Sequence, residues 1–87
     1  MEEGKQEVAA ITVFPNPTNG PVMISAELNG PAEVRVLDQL GRLLRTARLH
    51  INTEGPVLLD LADLPPGAYV LQLRANDRVV TRMVVRE

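Results

Sequence analysis

Eighty-seven residues with 45% hydrophobic but only 2% aromatic content make one small domain with an aliphatic core, and at this length folding buries only about 60–65% of the surface an unfolded chain exposes. A formal net charge of −2 excludes the strongly basic surface of a general nucleic-acid or anionic-membrane binder, and the lack of cysteine excludes disulfides, Cys-ligated zinc and a thiol nucleophile. No apolar run approaches the roughly 20 residues of a membrane helix, so direct membrane insertion is not expected.

The opening MEEGKQEV is acidic where a signal peptide is basic and then apolar. Residues 1–9 read as a solvated linker or an expression-derived start, and the folded domain is placed at 10–87. A first strand is predicted over 10–14. It stops at FPNPTNG, because Pro15 and Pro17 cannot donate ladder hydrogen bonds, and Asn19-Gly20 permits the positive φ that turns the chain into the next strand. That second strand, 21–28, sets Val22, Ile24, Ala26 and Leu28 on one face. After NGP at 29–31 a third strand, 32–37, sets Val34 and Val36 inward. DQLG at 38–41 then leads to a fourth strand, 42–51, whose inner row is Leu43, Ala47, Leu49 and Ile51. Arg45 interrupts this row, which places it near a rim, with its stem packed and its head toward water.

NTEGP at 52–56 closes that strand, and Val57, Leu59 and Leu61 form the inner row of a fifth, 56–61. LPPG at 64–67 precedes a sixth, 68–75, with Tyr69, Leu71 and Leu73 inward, and Asn76-Asp77 separates it from a seventh, 79–86. Turn signals about every ten residues, with β-branched and aliphatic alternation between them, are the signature of an all-β sandwich or barrel.

Parity constrains the turns, because a one-residue slip turns a whole row outward. For Val36 and Leu43 to share a face the third turn must be even, and Asp38 to Gly41 supply four residues suited to a type I turn. For Leu71 and Leu73 to share a face with Thr81 and Met83 the last loop must be odd, which Asn76-Asp77-Arg78 provides. A two-residue Asn76-Asp77 turn would instead bring Arg82 over Leu71. The odd loop gathers Gln72, Arg74, Arg82 and Arg86 on a basic outer face. That face reads either as the solvated side of an edge strand protected against aggregation or as a surface offered to a partner.

Catalytic chemistry finds no constellation. His50 shares an outward row with Leu44, Thr46 and Arg48 and reads as an ordinary surface or packing residue. Asp60 and Asp63, beside a Pro-Pro-Gly turn, suit binding of turn amides, with a calcium pair as the other reading. Ser25 lacks a base, no glycine-rich phosphate loop is present, and Pro17 disqualifies NPT at 16–18 as a glycosylation acceptor. No catalytic residue, metal ligand or cofactor-binding residue is assigned, and no enzyme activity is expected. The arginines of the fourth strand alternate faces, and aromatic partners for a nucleic-acid strand are missing.

Three segments, ITVFPNPTNGPVMIS at 11–25, VRVLDQLGRLLRT at 34–46 and LDLADLPPGAYVLQLRANDRVVTRMVVRE at 59–87, closely resemble the C-terminal sorting domain, of type A, of proteins exported by the bacterial type IX secretion system. The matching positions are Pro15, Asn16, Pro17 and Gly20 in the opening corner, Gly41 and Arg42 after the third strand, and Leu64, Pro65, Gly67 and Tyr69 before the last hairpin.

The resemblance implies an immunoglobulin-like, seven-stranded antiparallel sandwich that acts as an address label. The domain would end a larger cargo protein that reaches the periplasm by its own signal peptide. The outer-membrane translocon would recognise it, and a sortase-like surface protease would remove it as the cargo is released or joined to anionic lipopolysaccharide. The end of the sequence at Glu87, directly after the seventh strand, agrees with a terminal label, and cleavage is expected within 1–10. The last strand, with Arg82, Val84, Val85 and Arg86, would carry much of the signal, through its edge by strand addition or through its basic face. The alternative is a surface adhesion or carbohydrate-binding sandwich attached to a secreted enzyme, which the scarcity of aromatic side chains disfavours.

Overall fold

A computed structural model describes residues 11–27 and 29–87. Its elements are seven strands: β1 (Ile11–Phe14), β2 (Pro21–Ala26), β3 (Gly30–Leu37), β4 (Leu43–Ile51), β5 (Val57–Asp60), β6 (Gly67–Ala75) and β7 (Arg78–Arg86). They form two antiparallel sheets, β1-β2-β5 and β4-β3-β6-β7. The chain changes sheet between β2 and β3, between β4 and β5, and again between β5 and β6. The result is an immunoglobulin-like sandwich with the expected strand count.

Alternation builds the core as anticipated. Val22, Val34, Val36, Ile51, Leu61 and Val84 are fully buried, with Ile24, Leu59, Tyr69, Leu71 and Leu73 close behind. Each fully buried aliphatic side chain contributes about 1.5–3 kcal/mol, and Ala47, Leu49 and Val57 pack against this cluster from the margin. Leu28 and Ala10, assigned to strands from the sequence, lie outside the described residues.

Two register expectations are corrected. Val36 pairs with Arg45, whereas Leu37 pairs with Leu43, so Leu44 is the extra residue of a β-bulge and the row is broken there. Leu43 is consequently exposed rather than part of the core. The last loop is even where an odd one is expected. Ala75 pairs with Arg78 across Asn76 and Asp77, whose φ values of 53° and 66° are the left-handed pair that a primed two-residue turn requires. Asn and Asp reach that region more readily than other non-glycine residues.

This turn reverses the face of every β7 side chain. Val80, Arg82 and Val84 stand opposite Leu73, Leu71 and Tyr69, while Thr81 and Met83 stand opposite Gln72 and Val70. Met83 therefore leaves the core and Val84 enters it. Arg82 and Arg86 do not join Gln72 and Arg74 on an outer basic face. They point to the inner side, at the seam where β7 meets the other sheet.

Candidate functional site

The antiparallel registers place the β1–β2 corner, the β3–β4 turn, the β5–β6 corner and the end of β7 at one pole of the sandwich. All the positions singled out from the opening and Leu-Pro segments are there. Ile11, where the described chain begins, is paired with Ala26 at the other pole.

The opening corner is fastened along β7. Both the Phe14-Pro15 and Asn16-Pro17 peptide bonds are cis. Asn16 Nδ2 donates to the Met83 carbonyl at 3.0 Å, and its Oδ1 accepts from the Val85 N–H at 2.9 Å. The Thr18 N–H then donates to the Val85 carbonyl, and the Glu87 N–H to the Thr18 carbonyl, each at 2.8 Å. A side-chain amide and one residue of backbone thus complete a short parallel pairing with β7, bridging Thr18 and Arg86. The Met83 and Val85 carbonyls and the Val85 and Glu87 N–H groups are thus engaged by the opening corner, so a strand added at this end of β7 would have to displace it.

Thr18 was missed as a sequence candidate, although a threonine two residues before Gly20 fits a hydroxyl-stabilised turn. Its side chain is buried, at 1% exposure. Its Oγ1 accepts from the Gly20 N–H at 3.0 Å and donates to the Pro21 carbonyl, which satisfies the burial of a hydroxyl. Gly20 has φ +148°, and a Cβ there would lie 3.0 Å from Cβ of Ala62. Its carbonyl accepts from the Leu61 N–H at 2.9 Å. Glycine lets the two corners approach each other.

The β5–β6 corner is clamped from two more directions. Arg86 Nε reaches the Leu61 carbonyl at 3.4 Å and Nη2 the Ala62 carbonyl at 3.0 Å. Arg45 Nη1 donates to the Asp60 carbonyl at 2.7 Å, and Nη2 binds both carboxylate oxygens of Asp63. The rim position expected for Arg45 is correct, but its head is engaged by the corner. Asp60 Oδ1 accepts from the Ala62 N–H at 2.9 Å, so both carboxylates considered for calcium are engaged within the protein, and among the described residues no group of three or more His, Cys, Asp or Glu side chains could hold a metal ion.

Within the same corner the Leu64 N–H donates to the Leu61 carbonyl at 3.0 Å, and Leu64 packs against the core. The Tyr69 hydroxyl donates to the Pro65 carbonyl four residues upstream, a tyrosine corner of the kind that holds immunoglobulin-like sandwiches together. Gly67 begins β6 opposite Arg86.

Gly41 and Arg42 occupy the pole without joining this hydrogen-bonded cluster. Gly41, at φ +83°, donates its N–H to the Asp38 carbonyl at 3.0 Å. Asp38 Oδ1 accepts from the Leu40 and Arg42 N–H groups, and Oδ2 from Arg42 Nε at 2.7 Å. The Arg42 N–H, with its guanidinium and the Leu40 N–H in support, holds the Asp38 carboxyl below its ordinary value. The Arg45 guanidinium does the same for Asp63. Arg82 lies farther along β7, where Nε reaches the Ile11 carbonyl at 3.3 Å and Nη1 the Thr81 carbonyl at 2.9 Å. Val84 is buried and Val85 exposed.

These features define a β-sandwich whose distinctive residues assemble one pole through hydrogen bonds and close packing. The profile of the secretion system C-terminal sorting domain matches residues 12–87, and the chain belongs to that family. Such a domain is the C-terminal sorting signal of type IX secretion and is generally non-enzymatic. It is attached to a cargo protein, is recognised by the type IX machinery, and implies export to the cell surface or beyond. No curated protein matches the chain.

Proposed function

We propose that residues 10–87 form a non-catalytic address label that directs a cargo joined at its N-terminal side from the periplasm through the type IX outer-membrane translocon. A sortase-like surface protease then separates label from cargo within 1–10, a segment outside the described residues. The observation that carries this reading is the gathering of Pro15, Asn16, Pro17, Gly20, Leu64, Pro65, Gly67, Tyr69 and Arg86 at the pole opposite Ile11. A cargo leading into Ile11 leaves that pole unobstructed. Tyr69, the side chain a sugar-binding module would want exposed, is buried and engaged with Pro65, which favours the label over the carbohydrate-binding alternative.

The test is to append the chain to a fluorescent protein bearing a signal peptide, in a cell with a type IX system. The reporter is expected outside the cell, shortened by about one domain, and is expected to be retained in a translocon-deficient strain. Full-length periplasmic retention beside a working sorting domain would overturn the reading.

A further inference from the structure

The sorting motifs leave unexplained the outer face of the four-stranded sheet, the side turned away from β1, β2 and β5. Leu37, Val70 and Met83 stand opposite one another across β3, β6 and β7, and Ala68 faces Val85 in the next position. Met83 is 63% exposed, and Val85 and Leu44 are exposed beside this row. Toward the other pole come Thr46, Arg35, Gln72 and Thr81, then Arg48, Glu33, Arg74 and Val79. An open depression of about 670 Å³ lies among Arg48, Glu33, Arg74 and Asn76.

Two properties of this face suit a partner. A contiguous apolar row gains nothing from water, since buried Val84 already anchors this part of β7 in the core. Arg35 Nε is paired with Glu33 Oε1 at 3.2 Å, while Arg48 and Arg74 line the depression, with Asp77 as its other acidic residue. An apolar centre beside a charged margin is the composition of a protein interface. A polyanionic chain would be drawn by the arginines but would gain nothing from Leu37, Val70 and Met83.

We propose that this face docks a protein component of the export machinery whose surface offers an apolar ridge to Leu37, Val70 and Met83 and carboxylates to Arg48 and Arg74. The proposal rests on the sorting reading above and names the surface by which the label is held.

The test uses the full chain behind the same reporter, as wild type, Met83→Glu, Arg48→Gln/Arg74→Gln, and Leu58→Glu. Leu58, 55% exposed on β5 of the other sheet, is the control. Wild type and Leu58→Glu are expected to be exported alike, with the Met83 and double-arginine variants lowered roughly tenfold or more, an effect equivalent to about 1.4 kcal/mol of lost docking. Thermal unfolding of each purified chain is expected to match wild type within a few degrees. If Met83→Glu unfolds, Met83→Gln, similar in length and uncharged, takes its place. Export of the Met83 variants at the wild-type rate overturns the proposal. Loss in the arginine variant alone also overturns it, in favour of a polyanionic ligand. Retention of the wild type removes the sorting reading itself, and the surface with it.

Discussion

The carboxamide of Asn16 takes the place of a backbone unit beside Val85, accepting its N–H at 2.9 Å while donating to the neighbouring Met83 carbonyl at 3.0 Å. One side chain thereby ties the first corner to the last strand, 69 residues away in sequence. Asn16→Ala removes both bonds and is expected to lower stability by about 1–2 kcal/mol, read as a lower urea midpoint at unchanged slope. Asn16→Asp keeps the acceptor but loses the donor, and its midpoint should fall between the two.

Gly20 is constrained twice, by its φ and by Ala62. Gly20→Ala is expected to be destabilised by about 1–3 kcal/mol, or roughly 4–8 °C in Tm for each kcal/mol in a domain of this size. Gly20→Ala/Ala62→Gly opens the space without relieving the backbone. Circular dichroism should therefore show partial recovery relative to Gly20→Ala, after allowing for Ala62→Gly alone.

Most of the fold was legible because period-2 alternation and turn residues agree along the chain. Val22, Ile24 and Ala26 or Tyr69, Leu71 and Leu73 admit only one facing. Met83 shows where that logic fails. An apolar side chain reads as a core residue, which demands an odd loop, although Asn-Asp is well suited to a primed two-residue turn. The bulge at Leu44 was equally hidden, since nothing local distinguishes Leu43 from Leu44. At the pole, local patterns revealed the stiff corner and the tyrosine. The partners that Asn16, Thr18 and Arg86 find in other elements were out of reach, being 24 to 69 residues away.

Tyr69 separates the worth of one hydroxyl from the worth of its ring. The ring is 5% exposed in the core, and the hydroxyl closes the Pro65 corner. Tyr69→Phe leaves the packing and is expected to lower stability by about 0.5–1.5 kcal/mol, measured by urea unfolding. Tyr69→Leu also loses packed ring volume and should fall further.

Acid is expected to loosen the pole's two ion-paired turns. The Arg42 N–H, followed by the Arg42 guanidinium and the Leu40 N–H, lowers Asp38, and the Arg45 guanidinium lowers Asp63, each from an ordinary value of 3.8. A carboxyl whose folded value lies below its unfolded one stabilises the fold above the unfolded value and loses that contribution as pH falls through the folded one. Stability from these two groups should accordingly hold from neutrality to about pH 5 and decline below about pH 4. Both carboxylates are near solvent, so added salt should flatten the decline. Urea midpoints measured from pH 7 to pH 2.5 are expected to fall less steeply for Asp38→Asn and Asp63→Asn than for wild type, each starting from a lower midpoint at pH 7. Slopes in both variants equal to that of wild type would assign the acid sensitivity to other carboxylates.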